Sequence, residues 1–442
     1  MRRAGRRSAR LGRLAHLLAL AAFVTPLDAR ADDRPLWQIM GYGQSLSVGV
    51  LGVPALSTAS SPHAVMFAEG IRPPLGAAPR LDALVPLAEA DDRNRGETGI
   101  AAAAETFVQT LARLRGVAVD QLDMTMLGAT AGRAGARLTA LMPGSINYTR
   151  LMERVTAGET LGQSGRGYRY LATLWSHGET DQRAGTPRAR YAADLAALAT
   201  TISRDVRHIT GQSWVPPLLA YQPASHLAYL ARGRPETPAR PEIALALREA
   251  ARSADPASEA TIYCVLPLYF GAFRDGIHAT NQTYRDIGRY FGRALAKLVH
   301  ARETAQPVPP LALDLEDARW ASRSVTLRFA VPRGPLAFDA QALPPAPHMG
   351  FDLWSPEGQL LPDAIVDVSI VSGEEVRVSF RAEPAPGSRL SYAFGRPEDP
   401  FDPKTPPHGN LRDSEGAEDA SKLNAGLRRL DNWALIFETA KP

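Results

Sequence analysis

Residues 36–49 read LWQIMGYGQSLSVG. A mostly apolar run ends in Gly41, Tyr42, Gly43, Gln44 and Ser45. Gly and Ser are ordinary turn residues, so a plain turn accounts for them. A serine at the carboxyl end of a buried strand is also where an open α/β sheet presents its chemistry. The choice depends on what the rest of the chain puts beside it. One local feature narrows it. Ser47 stands where the second glycine of a G-x-S-x-G elbow belongs, which argues against that turn.

Four further short apolar runs follow: LDMTMLGA (122–129), YLATLWS (170–176), VPPLLAYQ (215–222) and TIYCVLPL (261–268). Such runs suit strands covered on both faces of a parallel sheet. Amphipathic segments at 98–116, 189–211, 240–253 and 280–302 separate or follow them, and Gly116 and Gly211 act as stops. Alternating β and α units predict a doubly wound, three-layer α/β/α domain. QPVPP (306–310) breaks the pattern. SVTLRFAV (324–331), AIVDVSIV (364–371), EEVRVSFRA (375–382), RLSYAFG (389–395) and WALIFE (433–438) come after it, several with half-buried alternation. They predict a small β-sandwich. The expected division is a leader at 1–31, an α/β domain at 32–303, a linker at 304–312 and a β-domain at 313–442.

The leader reading comes from MRRAGRRSARLGR, the short apolar LAHLLALAAFV, and Ala29-Arg30-Ala31 as a small-x-small cleavage site. It implies a secreted or periplasmic protein with no stable membrane span after cleavage. Seven Arg and one Asp give residues 1–31 a net +6 against +4 for the whole chain, which leaves −2 on the remainder. The basic balance is therefore a targeting feature and predicts no nucleic-acid binding. Cys264, the single cysteine, sits in an apolar strand and reads as a small buried hydrophobe. No residue spacing suggests a metal site or a phosphate loop.

Polar residues gather where the strands end: Gly43-Gln44-Ser45, LGATAGRAG (127–135), WSHGETDQ (175–182) and DGIHATNQ (275–282). A parallel sheet brings all four to one edge. Asp275 and His278 are three apart, so a turn can set a carboxylate beside an imidazole. That imidazole could then take a proton from Ser45, a poor nucleophile without such a base. Glu179 and Asp181 read as loop braces, and a paired-carboxylate glycosidase is the lesser alternative. Trp175 reads as core, Tyr221 and Gln222 as residues able to line a pocket, and His226 as surface loop. Asn410, Arg412 and Asp413 in GNLRDSEG (409–416) read as a structural loop.

GQS, a glycine after the second strand, W-x-x-GE-x-D and D-x-x-H, in that order, resemble the SGNH hydrolases. The sialate O-acetylesterase-like branch of carbohydrate esterases is the nearest likeness, over roughly 35–302. The resemblance implies Ser45 as nucleophile, His278 as base and Asp275 as its orienting acid. It implies oxyanion donors from the Ser45 N–H and from Gly128, with Gly132 as a competing assignment. His177 occupies the third-motif position where the family carries Gln. It either keeps the donor role or marks altered chemistry. Gln44, Glu179 and Tyr221 are the expected substrate contacts. The implied protein is a cofactor-free serine esterase acting on acylated carbohydrate or another small ester. An impaired carbohydrate-binding relative and an acyltransferase with the same Ser/His/Asp are the alternatives.

Overall fold

In the computed structural model, LWQIMGYG forms β1 (Leu36–Gly43), every residue of it buried. Its side chains alternate across the sheet as strand geometry requires. Trp37 and Ile39 join one core, Met40 and Tyr42 the other. The structure describes residues 34–74, 78–253, 260–399, 401–417 and 427–442. The expected leader lies outside them.

The sheet also contains β2 (Ala64–Phe67), β3 (Leu84–Pro86), β4 (Thr125–Thr130), β5 (Tyr168–Ser176), β6 (Leu218–Gln222) and β7 (Ile262–Pro267). The strand order is β3-β2-β4-β1-β5-β6-β7. All neighbours are parallel except β2 and β3, so the sheet has one antiparallel edge strand. β1 lies between β4 and β5, where the winding reverses. The crevice beyond its carboxyl end is the ligand position of such sheets.

Helices α1 (Ile100–Arg115) and α7 (Asn281–Glu303) cover one face. Helices α2 (Ile146–Gly162), α4 (Arg188–Thr210) and α6 (Glu242–Ser253) cover the other. Two short helices, α3 (Glu179–Arg183) and α5 (His226–Ala231), sit at the carboxyl edge, just after β5 and β6. This is the expected three-layer α/β fold.

After α7, β8 (Asp314–Trp320), β9 (Ser324–Ala330), β12 (Ile365–Ile370) and β13 (Glu375–Phe380) form one antiparallel sheet. A second contains β11 (Phe351–Trp354), β14 (Arg389–Tyr392) and β16 (Phe437–Ala440). A two-stranded ribbon pairs β10 (Ala337–Phe338) with β15 (Leu411–Arg412). Val325, Leu327 and Phe329 of β9 and Val376, Val378 and Phe380 of β13 face inward. Phe329 meets Phe437 of the second sheet with ring centroids 5.9 Å apart.

The α/β and β parts share one apolar core, which runs from Phe107 and Phe291 to Phe329 and Tyr392. Polar bonds cross the same boundary. Gln222, at the end of β6, donates from Nε2 to the Ile436 carbonyl at 2.9 Å and accepts from the Ile436 N–H at 2.6 Å. Arg293 on α7 donates to Asn432 Oδ1 at 2.6 Å. Residues 34–442 accordingly form one compact unit. Asn410, Arg412 and Asp413 brace this β-domain. Asn410 Oδ1 accepts from the Ala346 N–H, Arg412 pairs with Asp339, and Asp413 accepts from Asn432. No helix among the described residues is long and apolar enough to cross a membrane.

Candidate active site

β1 ends at Gly43, whose φ of +142° brings its backbone against β5. A β-carbon there would stand 2.1 Å from the Ser176 carbonyl oxygen, so only glycine fits. Gln44 then donates its backbone N–H to the same carbonyl at 3.0 Å. A single turn of 3₁₀ helix, Ser45–Val48, follows. Ser47 closes it by donating Oγ–H to the Gln44 carbonyl at 2.7 Å. Ser45 is thereby set at the sheet edge with its hydroxyl facing the turn after β7.

That turn holds Asp275 and His278. Asp275 Oδ1 accepts the backbone N–H groups of Ile277 at 3.0 Å and His278 at 2.7 Å. Its Oδ2 lies 3.0 Å from His278 Nδ1. His278 Nε2 lies 3.0 Å from Ser45 Oγ. With a carboxylate oxygen as acceptor, Nδ1 carries the proton and Nε2 is left to accept from the serine. Partial burial pushes the Asp275 carboxyl up, but the bonds from His278 and Ile277 overcome this and hold it well below the usual range. Arg232 adds its guanidinium 3.3 Å from Asp275 Oδ2. The acid stays ionised and its oxygens are fully committed.

Ser45 and His278 border a cleft of about 470 Å³ whose walls include Gln44, Thr180, Tyr229 and Ile277. Arg183, Arg232 and Arg234 also line it, and no carboxylate is among its lining residues. Gln44 Oε1 accepts the Thr180 N–H at 3.1 Å, which fixes the amide orientation. The residue borders the cleft.

The expected oxyanion donors divide. Gly128 lies inside β4, in register with Ile39. A β-carbon on it would meet Ile100 and Leu87 in the core under α1, so it is remote from Ser45. Gly132 is the glycine that reaches the serine turn. A β-carbon there would collide with Ser47 Oγ and lie 3.1 Å from the Gly43 carbonyl oxygen. Its N–H makes one long bond, 3.3 Å, to Thr130 Oγ1.

His177 does not face the cleft. It is fully buried under the loop that follows β4. Its Nε2 lies 3.1 Å from the Ala136 carbonyl oxygen, and its Nδ1 lies 2.9 Å from the Tyr191 hydroxyl. A carbonyl only accepts, so Nε2 carries the proton and Tyr191 donates to Nδ1. Trp175 Nε1–H donates to the same hydroxyl at 3.3 Å. Burial lowers the imidazole to about 4, against the opposing pull of Asp181 and the Ala136 carbonyl. His177 is therefore a neutral brace between α4 and the loop carrying Gly132, not an oxyanion donor.

Glu179 and Tyr221 are likewise beneath the cleft. The Tyr221 hydroxyl donates to Glu179 Oε1 at 3.0 Å, and both side chains are buried. Burial pushes the Glu179 carboxyl up to about 7, with its own N–H, Tyr221 and His278 working in the other direction. Asp181 caps the second loop, accepting from the Leu138 N–H at 2.8 Å and from Thr186 Oγ1 at 2.7 Å. His226, expected on a surface loop, is buried and donates to the Phe394 carbonyl at 2.7 Å. Cys264 is buried, which raises its thiol far above the ordinary value. Among the described residues no cluster of His, Cys, Asp and Glu could hold a metal ion.

The cleft arginines and Tyr229 had no spacing signal in the sequence. They come from α3 and from the end of α5 and the loop after it, and only the basic run ARGRPETPAR (231–240) marks that region.

No family model matches the chain, and no curated protein matches it. Solved structures do. A carbohydrate acetylesterase from Xanthomonas citri superposes with a TM-score of 0.55 at 18% identity, over 91% of this chain and 80% of that one. A protein from Arabidopsis thaliana gives 0.39 at 17% identity, over 58% and 97%. NanS gives 0.37 at 13% identity, over 53% and 78%. The first of these supports the fold described above, an α/β domain followed by a β-sandwich.

Proposed function

We propose that the protein is a serine esterase that removes short acyl groups, acetyl first among them, from a carbohydrate. The observation that carries this reading is the unbroken relay Asp275–His278–Ser45, with both bonds at 3.0 Å, at the switch point of the sheet. Ser45 Oγ attacks the acyl carbon and its proton passes to His278 Nε2. The imidazolium is stabilised by Asp275, which keeps its charge. The developing oxyanion meets the N–H groups of Ser45 and Gly132. Collapse of the intermediate expels the sugar hydroxyl, which takes the proton from His278. Water then repeats the sequence on the acyl-enzyme and frees the acid.

Within this reading the leaving sugar carries a carboxylate, as expected for a sialate O-acetylesterase-like enzyme. Arg183, Arg232 and Arg234 on the cleft wall support that preference. The Gln44 amide is the donor available to the sugar or the acyl oxygen. The likeness to a carbohydrate acetylesterase is consistent with the substrate class. Export through the leader at 1–31 belongs to the same proposal.

The test compares acetylated neutral sugars with acetylated acidic sugars, together with a fluorophosphonate probe and peptide mapping. Acetate release that favours the acidic sugar, with the label on Ser45, is the expected result. Ser45→Ala should lower turnover by about 10³-fold or more. Turnover unchanged in Ser45→Ala sinks the mechanism. Glycan binding by the wild type without turnover favours the impaired carbohydrate-binding alternative.

A further inference from the structure

The β-domain packs against the turn that carries Asp275 and His278. After β14 the chain turns back across the carboxyl edge of the α/β sheet. The Phe394 carbonyl accepts from His226 at the start of α5, and Arg396 is held to Asp352 Oδ1 by Nε at 3.0 Å and Nη2 at 2.6 Å. Phe401 follows and packs against Ala228, Tyr229 and Ile277. Its ring also covers Gly276, where a β-carbon would stand 2.8 Å from the ring Cζ. A turn at Asp402, whose Oδ1 accepts the Lys404 N–H at 2.9 Å, closes the segment.

Gly276 and Ile277 are the two residues between Asp275 and His278. Tyr229 and Ile277 also line the cleft. One side chain from the β-domain therefore packs against both residues that join the acid to the base, and against a cleft wall. The turn is also held by the two N–H groups on Asp275 Oδ1, by the Arg274 N–H to the His278 carbonyl at 2.8 Å, by Arg274 Nη2 to the Val53 carbonyl at 2.9 Å, and by Arg232 on the Asp275 carbonyl and carboxylate, but apart from Phe401 none of these bonds packs a side chain onto Gly276. Gly276, at φ +79°, adds no side chain of its own to anchor it. Catalytic geometry tolerates little displacement, and a shift of about 1 Å originating far from the chemistry can cost as much as ~10² in rate.

We infer that Phe401 is a positioning residue that holds the Asp275–His278 turn in register with Ser45, so that the β-domain forms part of the catalytic apparatus. This rests on the esterase reading above. The experiment uses the full chain with Phe401→Ala, Phe401→Leu and Phe401→Tyr. Three quantities are measured: the rate of Ser45 labelling by a fluorophosphonate, kcat and KM for 4-nitrophenyl acetate, and the melting temperature. The ester is small, so a lost sugar contact does not register. In Phe401→Ala, labelling and kcat should each fall about tenfold with KM nearly constant. Phe401→Tyr puts a hydroxyl on Cζ, the ring atom nearest Gly276, and should slow labelling and kcat as Phe401→Ala does. Wild-type labelling and kcat in a folded Phe401→Ala overturn the inference, as does a rise in KM alone. Should Phe401→Ala fail to fold, Phe401→Leu decides: a fall of a few fold supports the inference and unchanged rates overturn it. A wild type that never labels overturns the esterase reading and this inference with it, whereas a labelled wild type with an indifferent Phe401→Ala overturns this inference alone.

Discussion

Two histidines stand in turns at the carboxyl edge of the sheet, and both use both ring nitrogens. His278, after β7, has a carboxylate on Nδ1 and a serine hydroxyl on Nε2 and stays partly exposed. His177, directly after β5, has a phenol on Nδ1 and a backbone carbonyl on Nε2 and is sealed from solvent. The difference lies in the partners. A carboxylate stabilises an imidazolium and a hydroxyl has a proton to give, so His278 can cycle between two charge states. For the buried imidazole between a phenol and a carbonyl, the pull of Asp181 3.6 Å away is outweighed by burial, which keeps it neutral. In the proposed reading the first turn moves a proton, whereas the second holds a loop.

The largest expected effect comes from removing the partner that separates the two. Asp275→Asn keeps the size of the side chain, but its amide cannot accept from Nδ1 with the group that now faces it. The imidazole should adopt the wrong tautomer and kcat should fall by ~10³–10⁴. Steady-state kinetics on 4-nitrophenyl acetate measures this, and a loss below tenfold breaks the assignment of His278 as base.

His177→Phe sharpens the other half. It keeps the ring but leaves the Ala136 carbonyl and the Tyr191 hydroxyl without this partner, costing about 2–4 kcal/mol of stability. His177→Gln can donate to the carbonyl and accept from the phenol, so it should retain most of the stability. Denaturant unfolding of both variants checks the pair. Equal stability in the two contradicts the bracing role.

The smallest effect concerns Glu179, which shares a turn with His177 and whose charge reaches His278. Its carboxyl titrates near 4.5 in the unfolded chain and at about 7 in the folded one. The folded state thus binds the extra proton between these values, and the carboxyl subtracts stability as pH rises from about 4.5 to about 7. Glu179→Gln removes that dependence. Its unfolding free energy relative to wild type should climb across this window and level off above it, by no more than about 3 kcal/mol. A difference that stays flat between pH 4 and pH 8 excludes the buried, proton-binding carboxyl.

Much of the architecture is legible because it is local or periodic. The apolar run before Ser45 and the amphipathic pattern of 280–302 give β1 and α7 almost residue for residue. D-x-x-H is legible for the same reason, since a turn of four residues brings its ends together wherever it sits. The misses have physical causes. α2 escaped because Asn147, Arg154 and Gly158 interrupt its buried face. β2 and β3 are four and three residues long, too short for a period to show. Gly128 and Gly132 are indistinguishable in LGATAGRAG, because the register of β4 against β1 decides which one clears the strand.

The sequence by itself determined the main alternation of strands and helices, the serine at the end of β1, and the acid and base three residues apart. Those features depend on side-chain periodicity and on turns of a few residues. Tertiary structure alone decided that His177 lies under the loop, that Glu179 and Tyr221 pair beneath the cleft, and that three arginines converge on its wall. It alone carried Phe401 from the β-domain onto Gly276. These are meetings between segments tens to more than a hundred residues apart, set by how the layers pack, and no local pattern encodes them.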